Sequence, residues 1–138
     1  MPFELLSSFK QKKKIIELNL CLVLMEDKEF PWILLIPQIK NVQQINQLML
    51  DQQIQLVKEI NLCSDIMEST FECDRLNIAA IGNKTPQLHI HIICRTKNDS
   101  LWPETVWGKN MRILSNEEQK DRAEKLINAF EAYRIKQL

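Results

Sequence analysis

Alternating apolar and polar positions near the amino end predict a β-hairpin. Leucines recur at every second position over residues 18–24, which is the period of a strand with one buried face. A second apolar run, residues 31–37, begins and ends with proline, and a short polar turn at 26–29 joins the two runs. The residues before the hairpin mix apolar and polar side chains, so we expect a short helix there, followed by a solvated turn at the three lysines 12–14.

Two later stretches carry the spacing of helices. Residues 47–68 place apolar side chains three or four apart without an intervening Gly or Pro, which predicts a long helix. Ser115 and Glu118 have the spacing of a capping box, so a second helix is predicted over 115–136. The expected packed side chains are Leu50, Ile54, Val57, Ile60, Cys63 and Met67 in the first helix, and Ala123, Leu126, Ile127, Phe130 and Tyr133 in the second.

Two further strands are predicted between these helices, over 75–81 and 87–94, with a turn at 82–86. The order is therefore strand, strand, long helix, strand, strand, helix, and the short strand connections imply antiparallel pairing. We predict a single α+β domain over residues 1–138, with an antiparallel sheet of about five strands, a long central helix and a C-terminal helix.

Composition narrows the possible functions. The 138 residues include 18 basic and 18 acidic side chains, so the zero net charge argues against a nucleic-acid binder driven by overall basicity. No apolar run approaches the roughly 20 residues of a membrane helix, and the first residues lack a charged-then-apolar leader. Four cysteines without a CxxC pair favour buried thiols in a reducing compartment. We therefore expect a cytoplasmic protein that binds neither membrane nor nucleic acid.

The only two histidines, His89 and His91, stand two residues apart in the strand predicted over 87–94. Alternate side chains of a strand share a face, so Gln87 should lie beside them while the intervening apolar residues face the core. This pattern fits a solvated polar face, a metal chelate that needs a third ligand, or a catalytic site. The only glycines, Gly82 and Gly108, flank the histidine strand, and the turn 82–85 offers groups that can cradle an anion.

Residues 87–93, Gln-Leu-His-Ile-His-Ile-Ile, resemble the motif of the histidine triad superfamily, His-φ-His-φ-His-φ-φ with φ apolar, with Gln87 in place of the first histidine. Residues 76–83 resemble the family's preceding strand and turn, and residues 30–37 its strand ending in proline. Residues 102–108, Trp-Pro-Glu-Thr-Val-Trp-Gly, resemble a bacterial branch with glutamine at the first position. The resemblance spans residues 15–110.

The resemblance implies hydrolysis or transfer at the α-phosphorus of nucleotide conjugates, such as diadenosine tetraphosphate and other dinucleoside polyphosphates, or nucleoside phosphoramidates. It assigns the nucleophile to His89, and orientation of the site and phosphate contact to His91. Gln87 exchanges hydrogen bonds but cannot carry a proton at neutral pH. One alternative is therefore a nucleotide-binding regulatory protein on the same fold with little catalysis, and another is a metal-binding module that uses the two histidines.

The resemblance also implies further substrate contacts and a partner, while two histidines without a third ligand argue against a resident metal cofactor. An acidic or amide residue near the end of the first hairpin strand holds the ribose in the family, which leaves Glu26 and Asp27 as candidates, with Met25 at the aligned position. The aromatic rings of Trp107 and Trp102 either wall the site or pack in the core, and Trp107 is the one expected to contact the substrate. We expect a homodimer without a bound metal, with Mg²⁺ arriving only on the substrate. The expected substrate-binding residues are Asn83, Thr85, Arg95, Asp27 and Trp107.

Overall fold

Five strands form one sheet that carries two long helices, and the computed structural model describes residues 2–137, with side chains described through residue 134. The predicted α+β class with an antiparallel sheet is confirmed. A short 3₁₀ turn, Ile45–Gln47, precedes the central helix. The elements are α1 Ser7–Lys10, β1 Lys13–Glu17, β2 Cys21–Met25, β3 Trp32–Pro37, α2 Leu50–Thr70, β4 Arg75–Ala79, β5 Ile90–Arg95 and α3 Asn116–Gln137.

The strands lie in the order β1-β2-β3-β5-β4, and every neighbouring pair is antiparallel. The predicted hairpin is confirmed as β2 and β3. The turn predicted at the three lysines ends at Lys12, because Lys13 and Lys14 begin the edge strand β1, where their long charged side chains remain in solvent. Strand β5 pairs with β3 so that His91 lies opposite Leu34, which carries the histidine into the middle of the sheet.

The two faces of the sheet bury separate clusters of apolar side chains. Helices α2 and α3 cover one face, which includes Leu88, Ile90 and Ile92 as predicted. The opposite face carries Leu34, and it is covered by the N-terminal segment, residues 2–12, and by residues 101–111. The histidines lie on this second face, so the short helix α1 and irregular segments, rather than the two long helices, form the walls around them.

Helix α2 buries a different stripe from the predicted one. Cys63 and Met67 are buried as expected, whereas Leu50, Ile54 and Val57 are 73%, 51% and 56% exposed. The buried side includes Glu59, whose carboxylate accepts hydrogen bonds of 2.8 Å from the backbone N–H groups of Leu20 and Cys21. Satisfying these two donors compensates for burial of the carboxylate, and the face of the helix that carries Glu59 is therefore the buried one, while Leu50, Ile54 and Val57 face outward.

The capping box of α3 is confirmed. Ser115 Oγ accepts the N–H of Glu118 at 3.1 Å, and the Glu118 carboxylate accepts the N–H of Ser115 at 3.0 Å. Ala123, Leu126 and Phe130 are buried as predicted, whereas Tyr133 is exposed. No helix within residues 2–137 has the length and apolarity needed to span a membrane.

Candidate active site

The two histidines line one cavity of about 380 Å³ on the face opposite the helices. Strand β5 begins at Ile90 rather than at the predicted residue 87, so His89 lies in the extended lead-in to the strand. Both imidazoles nevertheless lie on the same side, with ring centroids 4.8 Å apart and planes at 69°. The alternation expected from the sequence therefore holds for the histidines even though the strand is shorter.

The tautomer of His89 is fixed by the main chain. Its Nδ1 lies 2.7 Å from the backbone carbonyl oxygen of Gln87. A carbonyl oxygen can only accept a hydrogen bond, so Nδ1 must carry the proton. Nε2 of the neutral ring then holds a free lone pair, which is the form an imidazole needs to act as a nucleophile.

His91 is held in the opposite tautomer. The indole N–H of Trp32 donates to Nδ1 of His91 at 3.1 Å, and since an indole nitrogen cannot accept, the proton of the neutral imidazole lies on Nε2. Burial, together with the neighbouring His89, lowers the pKa of His91 to about 4, although the backbone carbonyl of Ile81 opposes the shift. His91 is therefore a neutral hydrogen-bond donor at physiological pH.

Aromatic rings enclose the two imidazoles. Phe9 from the N-terminal segment packs edge-on against His89 with centroids 4.9 Å apart, and Trp107 packs against His91 at 4.7 Å. Trp32 lies behind them, 5.6 Å from Trp107. His89 is only 6% exposed as a result. These rings restrict access of water and offer flat apolar surfaces to a ligand.

Polar groups line the rest of the cavity. Lys12 and Glu26 form an ion pair of 2.7 Å at the wall, and Asn83 and Thr85 lie on the turn between β4 and β5. This turn is compact at Gly82, where an added Cβ would lie 3.1 Å from the Thr85 carbonyl oxygen and 3.9 Å from Cε1 of His89. Amide, hydroxyl and ammonium groups of this kind suit the oxygen atoms of a phosphate.

The structure brings together five of the eight residues predicted for the site. His89, His91, Asn83, Thr85 and Trp107 all line the cavity.

Two of the remaining three, Arg95 and Asp27, lie elsewhere, and so does Trp102. Arg95 is 1% exposed and its guanidinium is occupied by the carboxylate of Asp99, so it is not turned to phosphate or to solvent. Asp27 lies beside Lys28, outside the cavity, whereas its neighbour Glu26 lines it. Trp102 stacks over the Arg95 guanidinium instead of walling the site.

The side chain of Gln87 also points away from the histidines. It was expected on the same face as His89, and this placement is wrong because residue 87 precedes the regular strand and its amide is bound by the N-terminal segment. Only the carbonyl of Gln87 reaches the site, through His89.

Sequence reasoning missed Trp32, Phe9 and Lys12. Trp32 shares a face of β3 with Leu34, and that alternation was visible, but the pairing of β3 with β5 was not. Phe9 and Lys12 belong to a segment without periodicity, so no local signal pointed to them. Among the residues that the structure describes, no three His, Cys, Asp or Glu side chains are grouped to hold a metal ion, and the expectation of a metal-free site stays a prediction.

Two imidazoles with opposite tautomers thus share one cavity with amide, hydroxyl and ammonium groups, on one face of an antiparallel sheet. The model of the HIT domain family matches residues 8–98, and the chain belongs to this family, whose members bind nucleotides and include hydrolases and transferases.

Solved structures of histidine triad proteins superpose on most of the chain. The protein from Bradyrhizobium japonicum is 36% identical, with a TM-score of 0.87 over 94% of this chain and 98% of the other. The Marinobacter aquaeolei protein is 33% identical, with a TM-score of 0.88 over 96% and 98%. The Sinorhizobium meliloti protein is 28% identical, with a TM-score of 0.85 over 92% and 96%. No curated protein sequence matches the chain significantly.

Proposed function

We propose that the protein hydrolyses nucleotide conjugates, or transfers their nucleotidyl group, at the α-phosphorus through a nucleotidyl-His89 intermediate. The observation that carries this proposal is the hydrogen bond between Nδ1 of His89 and the carbonyl oxygen of Gln87. It leaves the lone pair of Nε2 free in a cavity whose lining also includes the amide of Asn83 and the hydroxyl of Thr85, groups that can bind phosphate.

The reaction has two displacements at phosphorus. In the first, the Nε2 lone pair of His89 forms a bond to the α-phosphorus, and the bond from phosphorus to the leaving group breaks with its electron pair. In the second, water attacks the same phosphorus, the P–N bond breaks back onto Nε2, and the proton lost by water passes to solvent. The products are a mononucleotide and the departing group, with His89 restored.

Neighbouring residues are proposed to bind the phosphate and the nucleoside. Asn83 and Thr85 donate to phosphate oxygens, which stabilises the charge that develops there. His91 orients the site as a neutral Nε2–H donor, because Trp32 occupies its other nitrogen. Glu26, rather than Asp27, is proposed to accept hydrogen bonds from the ribose hydroxyls, since Glu26 lines the cavity and Asp27 does not.

The expected substrates are dinucleoside polyphosphates such as diadenosine tetraphosphate, with nucleoside phosphoramidates as the second class. No resident cofactor is required, and Mg²⁺ is expected only as a companion of the polyphosphate. A cytoplasmic homodimer remains part of the proposal. Its support is the three exposed apolar side chains in the first turns of α2 and the edge position of β4, which a second copy would cover.

A regulatory nucleotide-binding protein is the second candidate. The side chain of Gln87, at the first motif position, is turned away from the site, and His89 is buried beneath Phe9. Both features favour binding of a nucleotide over its fast turnover. This candidate predicts that mononucleotides bind while conjugates are not consumed.

A panel of adenosine and guanosine conjugates separates the two candidates. Purified protein is incubated with each conjugate, with and without Mg²⁺, and released mononucleotide is measured beside the His89→Ala variant. Release that depends on His89 supports the hydrolase. Binding of mononucleotide by calorimetry without release from any conjugate would favour the regulatory protein.

A further inference from the structure

The side-chain amide of Gln87 is bound at both of its ends by the N-terminal segment. Oε1 accepts the N–H of Leu6 at 3.0 Å, and Nε2 donates to the carbonyl oxygen of Glu4 at 2.8 Å. This requires a donor and an acceptor that point the same way from one planar group, which an amide supplies. A carboxylate has no donor, and the two nitrogens of an imidazole point in diverging directions.

The N-terminal segment depends on such contacts for its position. Its helix α1 spans only four residues and lacks a side-chain cap, and so short a helix is not stable by itself. In the part of the chain that the structure describes, four polar contacts join residues 2–12 to the rest of the protein. Two are made by Gln87, and the others are Ser8 to Thr85 at 3.4 Å and Lys12 to Glu26 at 2.7 Å.

The same segment forms one wall of the cavity. It presents Phe9 to the ring of His89, and it presents Ser8 and Lys12 to the space beside that ring. Gln87 lies on the other side of this wall, where it lines a separate cavity of about 300 Å³ with residues 2–4. The N-terminal segment therefore binds the Gln87 amide on one side, and on its other side it lines the cavity in which a nucleotide would bind.

We propose that the Gln87 side chain is a positioning residue that fixes the N-terminal wall and thereby sets the affinity for nucleotide. The inference rests on the proposed function of the cavity. The side chain and the main chain of Gln87 have separate roles. Its main-chain carbonyl fixes the His89 tautomer, and any residue at position 87 supplies that carbonyl. Changing the side chain should loosen the wall and weaken binding while the nucleophile stays oriented.

Two variants test this positioning role. Gln87→Glu keeps the shape of the side chain but loses the donor, and it places a carboxylate oxygen against the Glu4 carbonyl oxygen. Gln87→Met keeps the length of the side chain and makes neither hydrogen bond. Gln11→Glu is the matched control, since Gln11 is exposed on the same segment. The measurements are the exchange rate of the Leu6 amide hydrogen by NMR, the Kd of adenosine monophosphate by calorimetry, and kcat and KM with diadenosine tetraphosphate.

We expect both Gln87 variants to exchange the Leu6 amide faster and to raise Kd and KM about tenfold, the effect of losing one or two hydrogen bonds. Their kcat should stay within about threefold, because the oriented His89 is retained. Unchanged Leu6 exchange, unchanged Kd, or a fall in kcat at constant KM would overturn the proposal. If the wild-type protein binds the mononucleotide but turns over no conjugate, the proposed hydrolase function is contradicted. The positioning role of Gln87 is then still tested by the exchange rate of the Leu6 amide and by the Kd.

Discussion

The indole N–H of Trp32 donates a hydrogen bond to Nδ1 of His91 across the neighbouring strands β3 and β5. The donor stabilises the neutral imidazole, because a protonated ring has no lone pair at Nδ1 to accept it. Trp32 therefore acts with burial to hold His91 uncharged, and it fixes which nitrogen presents a proton to the cavity.

Replacing Trp32 by Phe tests this relationship. Trp32→Phe keeps an aromatic ring but leaves Nδ1 of His91 without a donor, so we expect the pKa of His91 to rise from about 4 toward its ordinary value. The free energy of unfolding should fall by about 2 kcal/mol, as for a buried acceptor left unsatisfied. Trp102→Phe, outside the cavity, is the control for losing an indole. NMR titration of the His91 ring measures its pKa in each variant, and a pKa that stays near 4 in Trp32→Phe would contradict the role given to the indole.

The depressed pKa of His91 also makes stability depend on pH. Between the unfolded value of 6.5 and the folded value of about 4, the unfolded chain binds a proton that the folded chain excludes. This contribution is fully present above pH 6.5 and is lost as pH falls to about 4, with a size of about 3 kcal/mol. Urea unfolding of wild type and His91→Gln over this window should show a steeper loss in wild type. Parallel pH profiles for the two proteins would exclude the effect.

The choice of leaving group should follow from Gln87. A polyphosphate departs as a stable anion, whereas an amine must gain a proton as its P–N bond breaks. Residue 87 cannot supply that proton, because the amide of Gln87 is not acidic and its side chain is turned away from the histidines. We expect kcat/KM for diadenosine tetraphosphate to exceed that for the tryptamine phosphoramidate of adenosine monophosphate by about 100-fold, the scale of general acid catalysis. The p-nitrophenyl ester, whose phenolate leaves without a proton, is the control and should behave like the polyphosphate. Equal rates for the amine would show that another proton donor operates.

The exposed apolar side chains in the first turns of α2 should lie in a dimer interface. Leu50, Ile54 and Val57 present apolar side chains to solvent in the single chain, and charge placed among them would be buried on association. Light scattering should give twice the chain mass of 16.3 kDa for wild type and the single mass for Ile54→Lys. Ile113→Lys, an exposed isoleucine outside α2, should remain dimeric. A wild-type particle of 16.3 kDa would sink the prediction.

Features set by local spacing were predictable from the sequence. The β2–β3 hairpin follows from alternating leucines and flanking prolines, and the start of α3 follows from Ser115 and Glu118. The shared side of His89 and His91 follows from their spacing of two. Each of these depends on contacts between residues close in the chain.

Features set by distant contacts were not predictable. The Trp32–His91 hydrogen bond joins residues 59 positions apart, and the Gln87–Leu6 bond joins residues 81 apart. Neither can be deduced without the strand order that places β5 beside β3. The stripe predicted for α2 failed for a related reason, since the buried carboxylate of Glu59 satisfies backbone groups at the start of β2.

Locating the covalent intermediate tests the central proposal most directly. Protein mixed with diadenosine tetraphosphate is quenched at high pH, where a phosphoramidate survives, and the added nucleotidyl mass is mapped by peptide mass spectrometry. We predict the mass on His89, because its Nε2 is the free nitrogen, and a fall in turnover of roughly 10³-fold or more in His89→Ala with mononucleotide binding retained. Added mass on His91, or full turnover by His89→Ala, would contradict the account.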